Sequence, residues 1–404
     1  MIFDKLERIG GNRVVIALSA ARLGDAIGNS ILFIVLPIFV AKLPAPWLPL
    51  PETVRVGLLI ALFGLVNSIL QPFAGAFIDR IGRRKPFILS GLVLMAVATL
   101  GFVLVGRFTT LLLMRSLQGI GVALTIPAAL ALMAGSSKKE TRGGSMGIYT
   151  TSRMVGFAAG PLLGGALYDN FGFNAAFFVG AGFIIGAIIL VQLWIHEGTP
   201  QTSKDNPAKF RIIDPSLLSA GILGVAFATF VMASGFTMMS ALENQFNARL
   251  NMSAFIFSIA FSALLVSRIF TQVPLGRLSD RIGRKPIIVA GLVLLAPTTA
   301  LLGYAASVTQ LTILRLLQGV GSAAVAAPAF AVAADLAQVG GEGRQMSIIT
   351  MGFGLGIALG PLLAGVLAVY SFVLPFIVGG AFSLLGAWAV YQFVPETVNR
   401  GVED

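Results

Sequence analysis

Apolar residues fall along this chain in long blocks, and most polar residues are gathered into the breaks between them. Blocks of about 20 apolar residues match the thickness of a bilayer core. They predict spans at 14–41, 56–78, 86–105, 108–134, 144–168, 174–195, 216–241, 253–275, 286–306, 308–334, 345–370 and 373–394. Each span has to be a helix, because lipid offers no hydrogen-bond partner to an open backbone. Short segments of alternating polarity, the mark of a transmembrane β-barrel, do not occur. The longest polar break, His196 to Pro215, divides the chain nearly equally. The expectation is an all-α polytopic membrane protein with twelve transmembrane helices. It has a six-helix bundle over 1–195, a cytoplasmic linker over 196–215 and a second six-helix bundle over 216–404.

Composition agrees. Of the 404 residues, 56% are hydrophobic and 11% charged, roughly half the charge share of a soluble domain. There is no cysteine and one histidine, His196. These exclude disulfides, thiolate chemistry and a histidine-based metal cluster, and His196 after Trp194 reads as an interfacial residue. A converging nucleophile, base or metal set for an intramembrane enzyme does not assemble. The net charge of +11 is a topology signal. With the N-terminus inside the cell, 19 of the 28 Lys and Arg fall in inside segments and 4 outside. That bias places both termini in the cytoplasm of a multi-pass inner-membrane protein and leaves no role for nucleic acid.

The two halves repeat. GAFIDRIGRRKP at Gly75 returns as GRLSDRIGRKP at Gly276, RSLQGIG at Arg115 as RLLQGVG at Arg315, and GPLLGG at Gly160 as GPLLAG at Gly360. A repeat of six spans points to two similar bundles with pseudo-two-fold symmetry about an axis along the membrane normal. Rocking such bundles about a shared cavity gives alternating access.

These residues resemble the major facilitator superfamily over essentially the whole chain. The loop motif is Gly75, Asp79, Arg80, Gly82, Arg83 and Arg84, repeated as Gly276, Asp280, Arg281, Gly283 and Arg284. The span-four motif is Arg115, Gln118, Gly119 and Gly121. The span-five motif is Gly147, Gly156, Gly160, Pro161, Gly164 and Gly165, with Ser347 and Ala364 replacing two glycines in the span-eleven copy. The span-five motif resembles that of proton-coupled antiporters, especially drug exporters. The resemblance implies a monomeric transporter of small organic molecules, driven by the proton gradient with no cofactor. It implies that spans three, six, nine and twelve face lipid, and that the two loop motifs latch the cytoplasmic side. It also ties Arg115 to proton transfer. On physical grounds, a carboxylate at the end of span two can meet a helix N-terminus or pair with arginine.

Charges inside spans cost several kcal/mol each, on the order of the insertion scales, and so need a reason. They are Arg22, Asp25, Arg115, Arg153, Arg268 and Arg315. Spans three, six, nine and twelve carry none. Asp25 lies on the order of 15–20 Å inside at ~1.5 Å rise per residue. It is a proton carrier or a static partner of Arg22, three residues away on one face; the candidate coupling set is Asp25, Arg22 and Arg115. Glu243, near the outer end of span seven, is a weaker proton-site candidate and reads first as a solvated rim residue. Candidate cavity residues are Asn29, Asn67, Gln71, Arg153, Thr237, Arg268, Gln272 and Arg315. Five arginines against one aspartate favour anionic, zwitterionic or neutral amphiphilic cargo over cations. The leading expectation is a proton-coupled exporter of such molecules. An organic-anion exchanger or proton symporter of the same fold is the alternative, and a non-transporting receptor a distant one.

Overall fold

The computed structural model describes residues 12–136, 142–195, 219–336 and 342–398. They form α1 (Arg13–Ser30), α2 (Leu32–Lys42), α3 (Glu52–Ile81), α4 (Lys85–Gly101), α5 (Phe108–Ser136), α6 (Arg142–Trp194), α7 (Ala220–Met238), α8 (Glu243–Leu250), α9 (Ala254–Ile282), α10 (Arg284–Ala300), α11 (Val308–Asp335), α12 (Glu342–Leu367) and α13 (Leu374–Phe393). Eleven stretches among the described residues are long and apolar enough to cross a membrane. One of them, 144–194, has the length of two spans. It turns at Gly172, whose φ of 79° is open to glycine, so α6 supplies spans five and six. Twelve crossings result, in the all-helical architecture expected. The linker, His196, and the loop lysines Lys138 and Lys139 lie outside the described residues.

The chain divides into two compact units. One comprises Met1–Pro49 with Leu62–Ile212, the other Leu50–Ala61 with Ile213–Asp404. The N-terminal end of α3 therefore belongs with the second unit. There Thr53 donates to the Gly365 carbonyl at 2.8 Å, and Asn244 donates to Glu52 at 2.6 Å.

Within each unit the decisive packing is a glycine groove. In the first, a Cβ at Gly156 would lie 2.8 Å from the Leu23 carbonyl. At Gly160 it would meet Ser30 and the Ile27 carbonyl, and at Gly164 it would lie 2.7 Å from the Ile31 carbonyl. Four-residue spacing puts these glycines on one face, and α1 seats its backbone along it. Ser30 closes the contact by donating to the Gly156 carbonyl at 3.1 Å. In the second unit Gly352, Gly356 and Gly360 receive Ala226, Phe230 and Ser234 of α7 in the same way. Relative to the 200-residue repeat, this groove sits one helical turn earlier. That shift accounts for Ala364: position 364 falls past the end of the second groove, and an alanine fits there fully buried.

The expected lipid-facing helices present their large apolar side chains outward. Val93 and Val97 on α4, Ile189 and Leu193 on α6, Val293 on α10, and Leu384 and Trp388 on α13 are all exposed.

Gly160→Val should lower the thermal unfolding midpoint in detergent by an amount equivalent to about 1–3 kcal/mol, because the atoms it meets include backbone that cannot yield. Gly147 has open space around its Cβ position, so Gly147→Ala should leave the midpoint unchanged or raise it slightly.

Candidate functional site

Asp25 and Arg22 form an ion pair through Oδ2 and Nη1, with side chains 3% and 7% exposed. They point into the interior of the first unit. A small cavity there is lined by Leu18 and Ala21 of α1, Ile88 and Leu92 of α4, Thr125 and Ala129 of α5, and Tyr149 and Val191 of α6. The Arg22 guanidinium lies 5.8 Å from the Tyr149 ring centre. Among the described residues, neither Asp25 Oδ1 nor Arg22 Nε has a hydrogen-bond partner. The sequence reading missed Tyr149; its repeat partner, Ile349, was the available signal.

The second unit shows what this place looks like when only packing is required. The 200-residue offset turns Arg22, Asp25, Thr125 and Tyr149 into Ile222, Val225, Val325 and Ile349. All four are fully buried in one apolar cluster. Of the remaining lining residues, Ile88, Leu92 and Ala129 repeat as Ile288, Leu292 and Ala329, while Ala21 and Val191 become Gly221 and Tyr391. The fold builds the same bundle core without charge, so packing does not explain Arg22 and Asp25.

Arg115 does not join them. It bonds Gln118 at 2.8 Å and lies over the Phe63 ring at 4.5 Å, while Gln118 donates to Thr99 of α4 at 2.8 Å. The second unit copies this relay. Arg315 bonds Gln318 at 3.0 Å, Gln318 donates to Thr299 at 2.9 Å, and Arg315 also reaches the Phe236 and Phe261 carbonyls. Both guanidiniums find their hydrogen-bond partners inside their own units, with each Nε left unpartnered among the described residues. Arg115 is thus separate from the Asp25 site, and Arg315, at 0% exposure, is not placed to line a cavity. Thr237 is corrected likewise: it is fully buried, and its hydroxyl is spent on the Ala233 and Ile357 carbonyls.

Of the other candidates, Asn67, Gln71, Arg153, Arg268 and Gln272 keep partly exposed faces. Arg153 is half-buried and sits 5.2 Å from the Phe157 ring, which packs on Phe33 at 5.9 Å. Arg268 donates to Gln272 at 3.3 Å. Asn67 and Gln71 are half-buried one turn apart on α3, and Asn29 is buried with its Oδ1 unpartnered among the described residues. Glu243, expected on a solvated rim, is instead fully buried. A 3-10 turn over Met239–Leu242 interrupts span seven and carries it inward at the start of α8. A larger recess of about 590 Å³ between α1 and the far half of α6, lined by residues such as Leu23, Gly24 and Phe183, is apolar and holds no group that binds a proton.

The hairpin motifs take shape around glycines. Gly82 (φ 71°) and Gly283 (φ 117°) end their helices in backbone regions where other residues are strained. Gly75 packs on Pro127 and Gly276 on Ala327. Arg80, Arg83 and Arg281 are exposed, and the Asp79 side chain lies outside the described residues. In the second unit Asp280 is 61% exposed and 3.6 Å from Arg284, a geometry of little worth. The closer partner of Arg284 is Asp335 at the end of α11. Glu396, just after α13, accepts the Arg284 and Lys285 backbone N–H groups at 2.9 and 3.2 Å, capping α10. The sequence reading missed both acids. Position 335 corresponds to Gly135, which lies against Arg84, so a search for repeated charge passes over it.

The Major Facilitator Superfamily sequence profile matches residues 18–248 and 225–404. The chain belongs to this superfamily. It is 29% identical to the human synaptic vesicular amine transporter over 328 residues, which are 79% of this chain and 62% of that protein. It therefore spans less than two thirds of that relative. It is 28% identical to the multidrug resistance protein MdtG of Enterobacter lignolyticus over 337 residues, 82% of this chain and 80% of that one. Among solved structures, a bacterial homologue of the human lysosomal transporter Spinster superposes with a TM-score of 0.78 at 17% identity, covering 94% of this chain and 95% of that one. A human organic anion transporter superposes at 0.67 and 20% identity, covering 94% and 99%. These two likenesses show the fold. As a member of the superfamily, the protein is a multi-pass membrane protein.

Burial pushes the Glu396 carboxyl up, but N–H donors from Val398, Arg284, Lys285 and Thr397 outweigh it and hold the group below the usual carboxylate range. A depressed group stabilises above its unfolded pKa, about 4.3, and loses that contribution as pH falls through the lower folded value. Hydrogen exchange at Arg284 and Lys285 should therefore accelerate below about pH 4, and Glu396→Gln should remove that pH step. The effect should be modest, because the carboxylate is exposed.

Proposed function

We propose that this transporter exports small organic molecules in exchange for protons, by alternating access in the inner membrane. Both termini lie in the cytoplasm, the working unit is a monomer, and the proton gradient is its energy source with no cofactor. The observation that carries this reading is the buried Arg22–Asp25 pair at a place where the repeated half is wholly apolar. A carboxylate held inside a membrane bundle is expensive and is retained where protons or ions move. Its one partner is Arg22 on the same helix, so opening or closing the pair changes what the carboxylate faces. The glycine groove seats α1, which carries the pair, directly on span five, so a shift of that contact reaches Asp25. Resemblance to drug exporters in the span-five motif supports the direction of transport.

The arginines favour a second reading, an organic-anion exchanger or symporter of the same fold. Asp25 is neutralised by Arg22, which leaves Arg153 and Arg268 as the half-buried span charges. Neither has a repeat counterpart.

The two are separated in proteoliposomes by reading internal pH as dyes or organic anions are added. Wild type should move protons against substrate, and Asp25→Asn should lose proton movement by at least about tenfold, the scale of one lost charge-assisted interaction. Equal substrate flux in both proteins without proton movement would make Asp25 a static partner and favour the exchanger. Arg153→Ala and Arg268→Ala should weaken anion transport more than cation transport; equal losses for both would remove the charge preference.

A further inference from the structure

The open apolar recess of about 590 Å³ between α1 and the far half of α6 is a groove. Gly24 and Ile27 line one side, and α6 lines the other from Val179 to Leu190, with Gly182 and Gly186 between. Eleven residues of helix cover about 16 Å, close to one leaflet's share of a hydrocarbon core about 30 Å thick. A Cβ at Gly182 or Gly186 would meet nothing within 4 Å, so these glycines leave space rather than receive a helix. The groove is continuous with the lipid-facing side of α6, where Ile185 and Ile189 are exposed. The second unit fills the same place. Ile27 and Gly182 become Phe227 and Phe382, and both rings pack against its apolar cluster. Gly24 and Gly186 are half-buried, whereas their counterparts Gly224 and Gly386 are buried.

A groove open to lipid does not stay empty, because its lining would forfeit dispersion contacts that hydrocarbon supplies. Hydrocarbon alone gives no preference for this place over the bulk bilayer, since lipid tails are as apolar as leucine. A polar anchor supplies the preference, and Arg13 is placed to be one. It is exposed, and it precedes Ala20, Gly24 and Ile27 by 7, 11 and 14 residues, spacings that put all four on one face of α1. Gly24 meets the Phe183 backbone and Gly28 the Gly180 backbone, a register that brings Arg13 level with Trp194 at the membrane boundary. The repeat position of Arg13 is Ile213, so the half that fills the groove also lacks the cation there.

We propose that this groove binds one anionic phospholipid, with an acyl chain lying between α1 and α6 and its phosphate on Arg13. The planar guanidinium matches a phosphate in a way a single N–H cannot. The open side admits the chain laterally from the bilayer, and Gly182 and Gly186 let its methylenes lie against the helix backbone. The chain does for the first unit what Phe227 and Phe382 do for the second. The inference does not rest on proton coupling.

The test needs no transport substrate. The full chain is reconstituted in vesicles of phosphatidylcholine and phosphatidylglycerol, and the phosphatidylglycerol carries a photoreactive diazirine in mid-chain. After illumination the labelled peptides are mapped by mass spectrometry. Labelling is read on α1 over 20–27, because substitutions on α6 leave those residues unchanged. In wild type it should exceed labelling at the exposed Val293 of α10 by about fivefold, the scale of one basic residue beside anionic lipid. Gly182→Phe, which copies the second unit, should bring the two to the same level. Gly186→Leu should do likewise, and it decides the matter if Gly182→Phe does not fold. Arg13→Gln should remove the excess with phosphatidylglycerol and leave labelling by a phosphatidylcholine diazirine unchanged. Thermal midpoints check that each variant is intact. Equal labelling at the two places in wild type, or an excess that survives both glycine substitutions, overturns the site. An excess untouched by Arg13→Gln overturns the phosphate contact. Displacement of the label by an added amphiphilic dye would assign the groove to cargo and overturn the lipid as its occupant.

Discussion

Hydrocarbon cannot hydrogen-bond, and each polar group in this protein's spans answers to that fact. Most are settled locally. Thr99, Ser116, Thr125, Thr298 and Thr312 donate back to the carbonyl four residues earlier on their own helices. The costlier arginines at 115 and 315 are settled by a glutamine that reaches a threonine on the next helix. Glycines settle the backbone's own need for close packing, because helices can pair tightly only where no side chain intervenes. Asp25 is settled in part, with one oxygen paired and the other left over among the described residues, as the Nε atoms of Arg115 and Arg315 and the Asn29 Oδ1 also are.

The internal repeat separates scaffold from function without reference to any other protein. Features present in both halves are those a six-helix bundle needs: the Arg–Gln–Thr relay, the glycine groove and the glycine-ended hairpins. On this ground Arg115 belongs to the scaffold, although its motif drew it toward proton transfer. Features present once need another explanation. The four polar positions around the Asp25 cavity meet that description, and so does Glu243, buried where span seven breaks. Asp335 and Glu396 also occur once, but they tie the ends of α11 and α13 to Arg284 and are explained by that contact.

Most of the architecture was legible because membrane spans are written in composition and length, which require no knowledge of tertiary contacts. The break between the halves and the repeat offset came from the same string. What stayed hidden depended on direction. Arg22 and Asp25 are visibly three apart, but nothing in the sequence says that their face meets α4, α5 and Tyr149. Thr237 and Arg315 are polar residues in spans and so looked like cavity lining; the turn of each helix sends them into packed interfaces instead. Glu243 looked solvated because it lies near a span end, and the 3-10 turn that carries it inward left no mark among the apolar residues around it. Asp335 was passed over because the repeat comparison rewards matching charges, and its match is a glycine.

The pairing of Asp25 with Arg22 also constrains what protonation must do. A proton on Asp25 cancels the carboxylate and leaves Arg22 as an uncompensated charge in the bundle interior, with only the π face of Tyr149 nearby. Breaking a buried pair in this way costs about 3–5 kcal/mol when one partner is removed outright. A cation–π contact returns at most about 2 kcal/mol of that. On the proposed reading the protonated site would be unfavourable in the arrangement seen here, and a move of Arg22 toward another acceptor or toward water would lower its energy. A proton on Asp25 then creates an electrostatic imbalance that the second unit, with Ile222 and Val225 in those places, cannot develop.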